Sequence, residues 1–276
     1  MCTSYGKLNY GCFCFVYRMY NHEFEAIFFK SNISKYFLFI HFSGGQSIVV
    51  FNYENRCNES IWLGSTPAIR DVLDPEFTSR TSNTLQMPDQ WNGFIWGRTK
   101  CSFNDSNNFS CEAGDCGNEV CQWPVANSPV TILNFTVNQQ VQTNPHIVSY
   151  ELNLNRGHNV PVRIQPVGGS LVGGGTGPCH VVDCAQDFSN VCPPNLVVRG
   201  KDGSYVGCLS ACDALKDAKH FCFGDFARPQ TCLQPNGYSS IFKKVCALAH
   251  TYPGDNQPPI YSCSGATSFN ITFCPT

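Results

Sequence analysis

The residues with the widest chemical reach in this 276-residue chain are its 18 cysteines. Thiols can ligate soft metals, act as nucleophiles, or cross-link the chain. Metal ligation fits poorly, because no paired C-x2-C pattern repeats and histidines number only 7. Cross-linking fits, and it implies an oxidising compartment. Four cysteines, Cys101, Cys111, Cys116 and Cys121, crowd a stretch of Asn, Ser and Gly with almost nothing apolar to bury. Such a stretch cannot order itself by hydrophobic collapse, so bridges are the substitute. Glu112 and Asp115 lie among these cysteines and are read as parts of a rigid lobe rather than as acid and base. The glycine-rich run 168–177 lacks the Lys-Ser/Thr ending of a phosphate loop and leads into Pro178-Cys179, so a flexible surface loop is expected. His180, beside Cys179, is read as a loop residue. Neither a metal nor a cofactor is expected.

Charge narrows the partners. Lys and Arg total 18 against 20 Asp and Glu, for a net charge of −2. No basic excess points to nucleic acid or to an anionic membrane. Six N-x-S/T sequons begin at Asn32, Asn58, Asn104, Asn108, Asn134 and Asn270. Together with the cysteines they favour the secretory route.

The elements that would carry these residues are mostly strands. Residues 1–46 are expected to be an N-terminal extension whose end resembles a signal peptide: Lys35, a short apolar run to Phe42, then small residues. The run is too short to span a bilayer, and a lipid-replaced C-terminal anchor is not expected. From Ser47 the pattern alternates with period two. Val49 and Phe51, Val148, Tyr150, Leu152 and Leu154, then Val160, Val162 and Ile164 share faces, with Ser149, Glu151 and Asn153 on the opposite one, and a strand runs from Trp91 to Arg98. A segment between Cys208 and Phe221 and another from Tyr238 to Val245 carry helical spacing. The fold class is therefore dominated by β structure, a sandwich with cysteine-rich loops and a small helical subdomain.

The motifs IWGRTKC (95–101), CEAGDCGNEVC (111–121), GYSSIFKKVC (237–246) and FNITFCPT (269–276), with the cysteine order, resemble the thaumatin-like proteins. These are secreted, osmotin-like and pathogenesis-related β-sandwich proteins. The resemblance covers residues 48–276. It implies a sandwich from residues 47–98, 130–185 and 247–276, a cysteine-rich lobe at 99–129, and a helical disulfide-rich lobe at 186–246. It also implies the bridges Cys57–Cys274, Cys101–Cys111, Cys116–Cys121, Cys179–Cys263, Cys184–Cys246 and Cys192–Cys208. Two arrangements stay open for the rest. Either Cys222 pairs with Cys232 and leaves Cys212, or Cys212 pairs with Cys222 and leaves Cys232. Setting aside Cys2, Cys12 and Cys14 leaves 15 cysteines, an odd number, so at least one thiol is unpaired within the domain. A buried thiol and a monomer are expected rather than a disulfide-linked dimer.

In antifungal and β-1,3-glucan-binding members a cleft between sandwich and helical lobe carries one Arg and four carboxylates. The matching positions here are Phe94, Asn134, Glu151, Arg156 and Asp255, which leaves one net negative charge where the family pattern has three. Glu151 and Asp255 are the only candidates for the acid and base of glycoside hydrolysis. Glu151 and Arg156 are expected to form an exposed ion pair rather than catalytic groups. A glycan on Asn134 would occupy the position where a glucan docks. The resemblance thus implies a secreted defence-type protein binding β-1,3-glucan or another wall polysaccharide without efficient catalysis. A scaffold that binds or inhibits a foreign protein, and a weak β-1,3-glucan hydrolase, are the alternatives.

Overall fold

The computed structural model describes residues 49–276 except 70–75, 89, 122–125, 139–145, 174–176, 229–230, 233–236 and 256–259, together with the backbone of three earlier strands. Those strands, β1 (Tyr5–Leu8), β2 (Gly11–Tyr20) and β3 (Glu23–Lys30), form an antiparallel sheet within a first compact unit, Met1–Gln46. The signal-like run 35–46 and the sequon at Asn32 lie outside the described residues. The second unit is Ser47–Thr276.

Among the described residues, fourteen strands build the second unit: β4 (Val50–Asn55), β5 (Ile61–Thr66), β6 (Glu76–Phe77), β7 (Thr81–Gln86), β8 (Asn92–Phe103), β9 (Phe109–Ala113), β10 (Ile132–Asn138), β11 (Ile147–Asn153), β12 (Val162–Leu171), β13 (Val182–Cys184), β14 (Val197–Arg199), β15 (Tyr205–Cys208), β16 (Ala249–His250) and β17 (Tyr261–Phe273). One path runs β13-β12-β17-β11-β10-β8-β5-β6, and β4 pairs with β17 and β7. The long β17 joins two layers. Its first residues pair with β11, and its last six run parallel to β4. Alternation fills the space between the layers. Phe51 of β4 packs 4.5 Å, ring centre to ring centre, from Phe135 of β10, a strand it does not pair with. Phe269 and Tyr150 complete this aromatic centre, 5.4 Å apart. Contact between unpaired strands is what a sandwich core requires.

Three parts of the sequence reading change. β8 does not end near Arg98; it continues to Phe103 and pairs with β9, so the cysteine-rich stretch is half hairpin, bridged by Cys101–Cys111. Gly168 and Gly169 are not loop but belong to β12, at a register shift opposite β17. The helical segment after Cys208 splits into α1 (Ala211–Leu215) and α2 (Ala218–Phe221). Lys216 adopts the left-handed conformation (φ 53°) and ends α1, and the Asp217 side chain accepts from His220 N and starts α2. Local capping ends a helix even where the apolar spacing continues. A third helix, α3 (Gly237–Val245), follows.

Seven disulfides hold the second unit: Cys57–Cys274, Cys101–Cys111, Cys116–Cys121, Cys179–Cys263, Cys184–Cys246, Cys192–Cys208 and Cys222–Cys232. Cys212, on α1, is a buried free thiol. Burial pushes its pKa up to about 12, which leaves it as a small apolar side chain.

Candidate functional site

Three of the five positions meet in one row. Asn134 on β10 lies opposite Phe94 on β8 and opposite Glu151 on β11. A period of two puts all three on the sheet face turned away from the Phe135–Tyr150 core. The Phe94 ring is half-buried against a small cluster that contains Trp96 and Ile132. Asn134 Nδ2 donates to Glu151 Oε1 at 3.1 Å. The other sequon residue, Thr136, donates its hydroxyl to Asn92 at 3.2 Å. Asn58, Asn104 and Asn108 are exposed, and Asn270 is half-buried, accepting from Asn52.

The Glu151 side chain is 11% exposed. Its other oxygen, Oε2, lies 3.3 Å from His250 Nε2, an ion-pair distance outside hydrogen-bond geometry. The opposite ring nitrogen, Nδ1, lies 2.8 Å from the Asp255 carbonyl oxygen. A carbonyl only accepts, so Nδ1 carries a proton, and Nε2 faces Glu151 as a donor only when the ring is an imidazolium. His250 belongs to β16, which pairs with β11 at Asn153. A strand of two residues therefore sets the ring beside the carboxylate.

Asp255 is a different kind of carboxylate. Its side chain is 2% exposed, and Oδ2 takes Lys243 Nζ at 2.6 Å, Thr251 N at 2.9 Å and Thr251 Oγ1 at 3.1 Å. These donors fasten the 251–255 turn to α3. A carboxylate so enclosed presents no free face to a glycosidic oxygen or a hydrolytic water.

Arg156 is elsewhere again. It does not pair with Glu151, as expected from sequence, but with Asp213 of α1 at 2.8 Å, and it donates to Ser128 Oγ at 2.9 Å. Ser128 also donates to the same Asp213 oxygen. The reason is chain direction. Gly157 takes a left-handed turn (φ 95°) just after β11, and a Cβ there would come 2.2 Å from the Cys208 carbonyl, so the chain passes tightly against the 208–210 segment that leads into α1. The two charges therefore face different neighbours.

The row thus contains an aromatic face, an amide and a carboxylate, with the second carboxylate occupied. His250, Lys243 and Asp213 were not identified from sequence. Lys243 stands in the GYSSIFKKVC motif, but its partner Asp255 gave no local signal, and His250 is a lone histidine. Among the described residues no group of three or more His, Cys, Asp or Glu is placed to hold a metal.

The thaumatin family model matches residues 55–275. The chain is 32% identical to thaumatin-like protein 1 of Pyrus pyrifolia over 254 residues, covering 90% of this chain and 99% of that protein. It is 34% identical to a pathogenesis-related thaumatin-like protein 3.5 of Cryptomeria japonica, covering 82% and 90%. Among solved structures it is similar to a thaumatin-like xylanase inhibitor, 19% identical, with a TM-score of 0.42 and coverage of 82% and 99%. On the family model and these relatives, the chain belongs to the thaumatin family.

Proposed function

We propose that this is a secreted, monomeric defence-type protein that binds a cell-wall polysaccharide at the Phe94–Asn134–Glu151 row and does not hydrolyse it. The observation that carries this reading is the contrast between the two carboxylates. Glu151 sits in line with an amide and an aromatic ring, while Asp255 is enclosed by Lys243 and Thr251. Carboxylate and amide oxygens accept from sugar hydroxyls, and an aromatic ring covers the apolar face of a pyranose. Hydrolysis needs two available carboxyl groups; Asp255 is enclosed, and Glu151, its side chain 11% exposed, already has Asn134 on one oxygen and His250 beside the other. The pathogenesis-related name of a relative supports the defence role, and seven disulfides suit an oxidising, extracellular setting.

The test is retention on insoluble β-1,3-glucan. The full chain is expected to be retained, and Glu151→Gln to lose at least tenfold in affinity with no change in thermal midpoint greater than a few degrees. No reducing sugar is expected from either protein. Release of sugar that disappears in Glu151→Gln would establish a hydrolase instead. Failure of the wild-type chain to bind would turn the reading to a foreign protein partner.

A further inference from the structure

A concavity lies away from the Glu151 row. It measures about 350 Å³ and opens between two hairpins. The β8–β9 hairpin contributes Lys100, Ser102, Ser110 and Glu112, and the β14–β15 hairpin contributes Arg199 and Lys201. Its size is at the small end of the range for ligand sites, about 300–1,000 Å³.

The walls are built rather than incidental. Cys101–Cys111 staples the first hairpin, and Cys192–Cys208 anchors the second. Each wall carries a backbone irregularity where it faces the groove. Lys100 has φ 54°, and β14 shifts register between Val198 and Arg199. Such irregularities re-aim side chains away from the regular alternation. The hairpins are tied together where Lys201 N donates to Glu112 Oε1 at 3.2 Å and where Lys100 donates to Ser204 Oγ.

The three cations differ in commitment. Lys100 is 3.8 Å from Asp202 and is spent on holding the turn. Arg199 gives one Nη1 donor to the Gly203 carbonyl at 3.1 Å. Neither the Arg199 guanidinium nor the Lys201 ammonium has a carboxylate partner among the described residues, and both residues are exposed. The groove therefore offers a mostly unused guanidinium fork and an ammonium, together with two hydroxyls and the second oxygen of Glu112.

This set of groups selects a ligand. A planar carboxylate fits the guanidinium fork, with the ammonium as a second positive contact. Hydroxyls on the same ligand fit Ser102 and Ser110, which donate and accept, and Glu112, which accepts. A neutral glucan would leave both cations unmatched. A single-stranded nucleic acid would call for aromatic stacking platforms, and the groove lining contains none. We propose that this groove binds a uronic-acid saccharide, its carboxylate on Arg199 and Lys201 and its hydroxyls on Ser102, Ser110 and Glu112. The site is separate from the Glu151 row, and the proposal does not depend on glucan binding there.

The experiment titrates the full chain with tri-galacturonate, using a glutamate tripeptide as the charge control. Tri-galacturonate is expected to bind the wild-type chain and to weaken as salt rises. Arg199→Gln/Lys201→Gln should weaken it at least tenfold while leaving retention on β-1,3-glucan unchanged. Ser102→Ala/Ser110→Ala, which keeps both cations, should weaken it severalfold. All four side chains are exposed or half-exposed, and unaltered thermal midpoints would show that both variants fold. The proposal is overturned if the wild-type chain ignores tri-galacturonate, or if the charge variant binds it as well. Equal binding of the glutamate peptide would also overturn it, since that is charge without sugar recognition. Parallel loss of glucan retention in the charge variant would make the two sites one and overturn it as well.

Discussion

His158 shows what a single buried side chain can impose on the molecule. It is 1% exposed, both its ring nitrogens lack hydrogen-bond partners, and its ring stacks 4.3 Å from Phe188. Burial pushes its pKa down to about 3, against a smaller upward pull from Asp187. In the unfolded chain a histidine titrates near 6.5, so between these values the unfolded state binds the extra proton. Stability is therefore intact above pH 6.5 and is lost as pH falls toward 3. From pH 7 to pH 5 this one group should cost about 2 kcal/mol. Urea unfolding at the two pH values should show that loss in the wild-type chain and a loss smaller by this amount in His158→Phe. Equal losses in both would refute the assignment. Nothing near position 158 signalled this role from sequence, because the burial is made by distant chain. His158 exchanges both backbone hydrogen bonds with Cys208 and meets Phe188 across a third segment. Glu151 was legible only as a position in a family pattern. Its partners Asn134 and His250 lie 17 and 99 residues away, beyond what local spacing can report.

At the scale of elements, Arg98 does for the cysteine-rich lobe what apolar packing does for the sandwich. The side chain is fully buried, and its guanidinium donates to the carbonyls of Trp62 and Leu63 on β5 and of Asn118 and Glu119 in the lobe. Its carbon lies 5.0 Å from the centre of the Phe109 ring. Burial lowers its pKa to about 10, which still leaves it charged at neutral pH. One planar cation thus bonds four carbonyls at once and ties lobe to sheet. Arg98→Met keeps much of the volume and removes every donor. It should destabilise the domain by about 2–4 kcal/mol, in line with the cost of unsatisfied buried groups. Amide exchange at 116–121 should accelerate more than exchange in β10 and β11. Uniform acceleration across the domain would contradict a local tie. The motif IWGRTKC was visible in the sequence, but not the role of its Arg, since its acceptors are backbone atoms that carry no residue identity. Strands were more legible. Leu133, Phe135 and Val137 on β10 and Val148, Tyr150 and Leu152 on β11 are buried as their alternation requires. The first helix was misread because apolar spacing does not register a left-handed residue such as Lys216.

Across the whole second unit, the long-range bridge Cys57–Cys274 acts on the least local pairing in the fold. β4 runs parallel to β17, Asn55 opposite Phe273, and the bridge joins the chain just beyond both ends of that ladder. A parallel pair of strands so far apart in sequence must pay for closing a long loop before its hydrogen bonds form. Cysteine order identified the fold from sequence, whereas the pairing came with the resemblance, because spacing alone does not choose among partners. The bridge spans 217 residues, against 5 for Cys116–Cys121. In the loop-entropy picture these contribute about 5 and about 2 kcal/mol respectively. Cys179–Cys263 shortens the path around the larger loop, but the dependence is logarithmic, so the contrast survives. The expected result is that Cys57→Ala/Cys274→Ala loses about 3 kcal/mol more than Cys116→Ala/Cys121→Ala in urea unfolding without reductant. The long-bridge variant should also show the larger rise in denaturant slope, since its unfolded chain expands more once released. Equal losses in the two variants would mean that native-state contacts around each bridge, rather than constraint on the unfolded chain, set their worth.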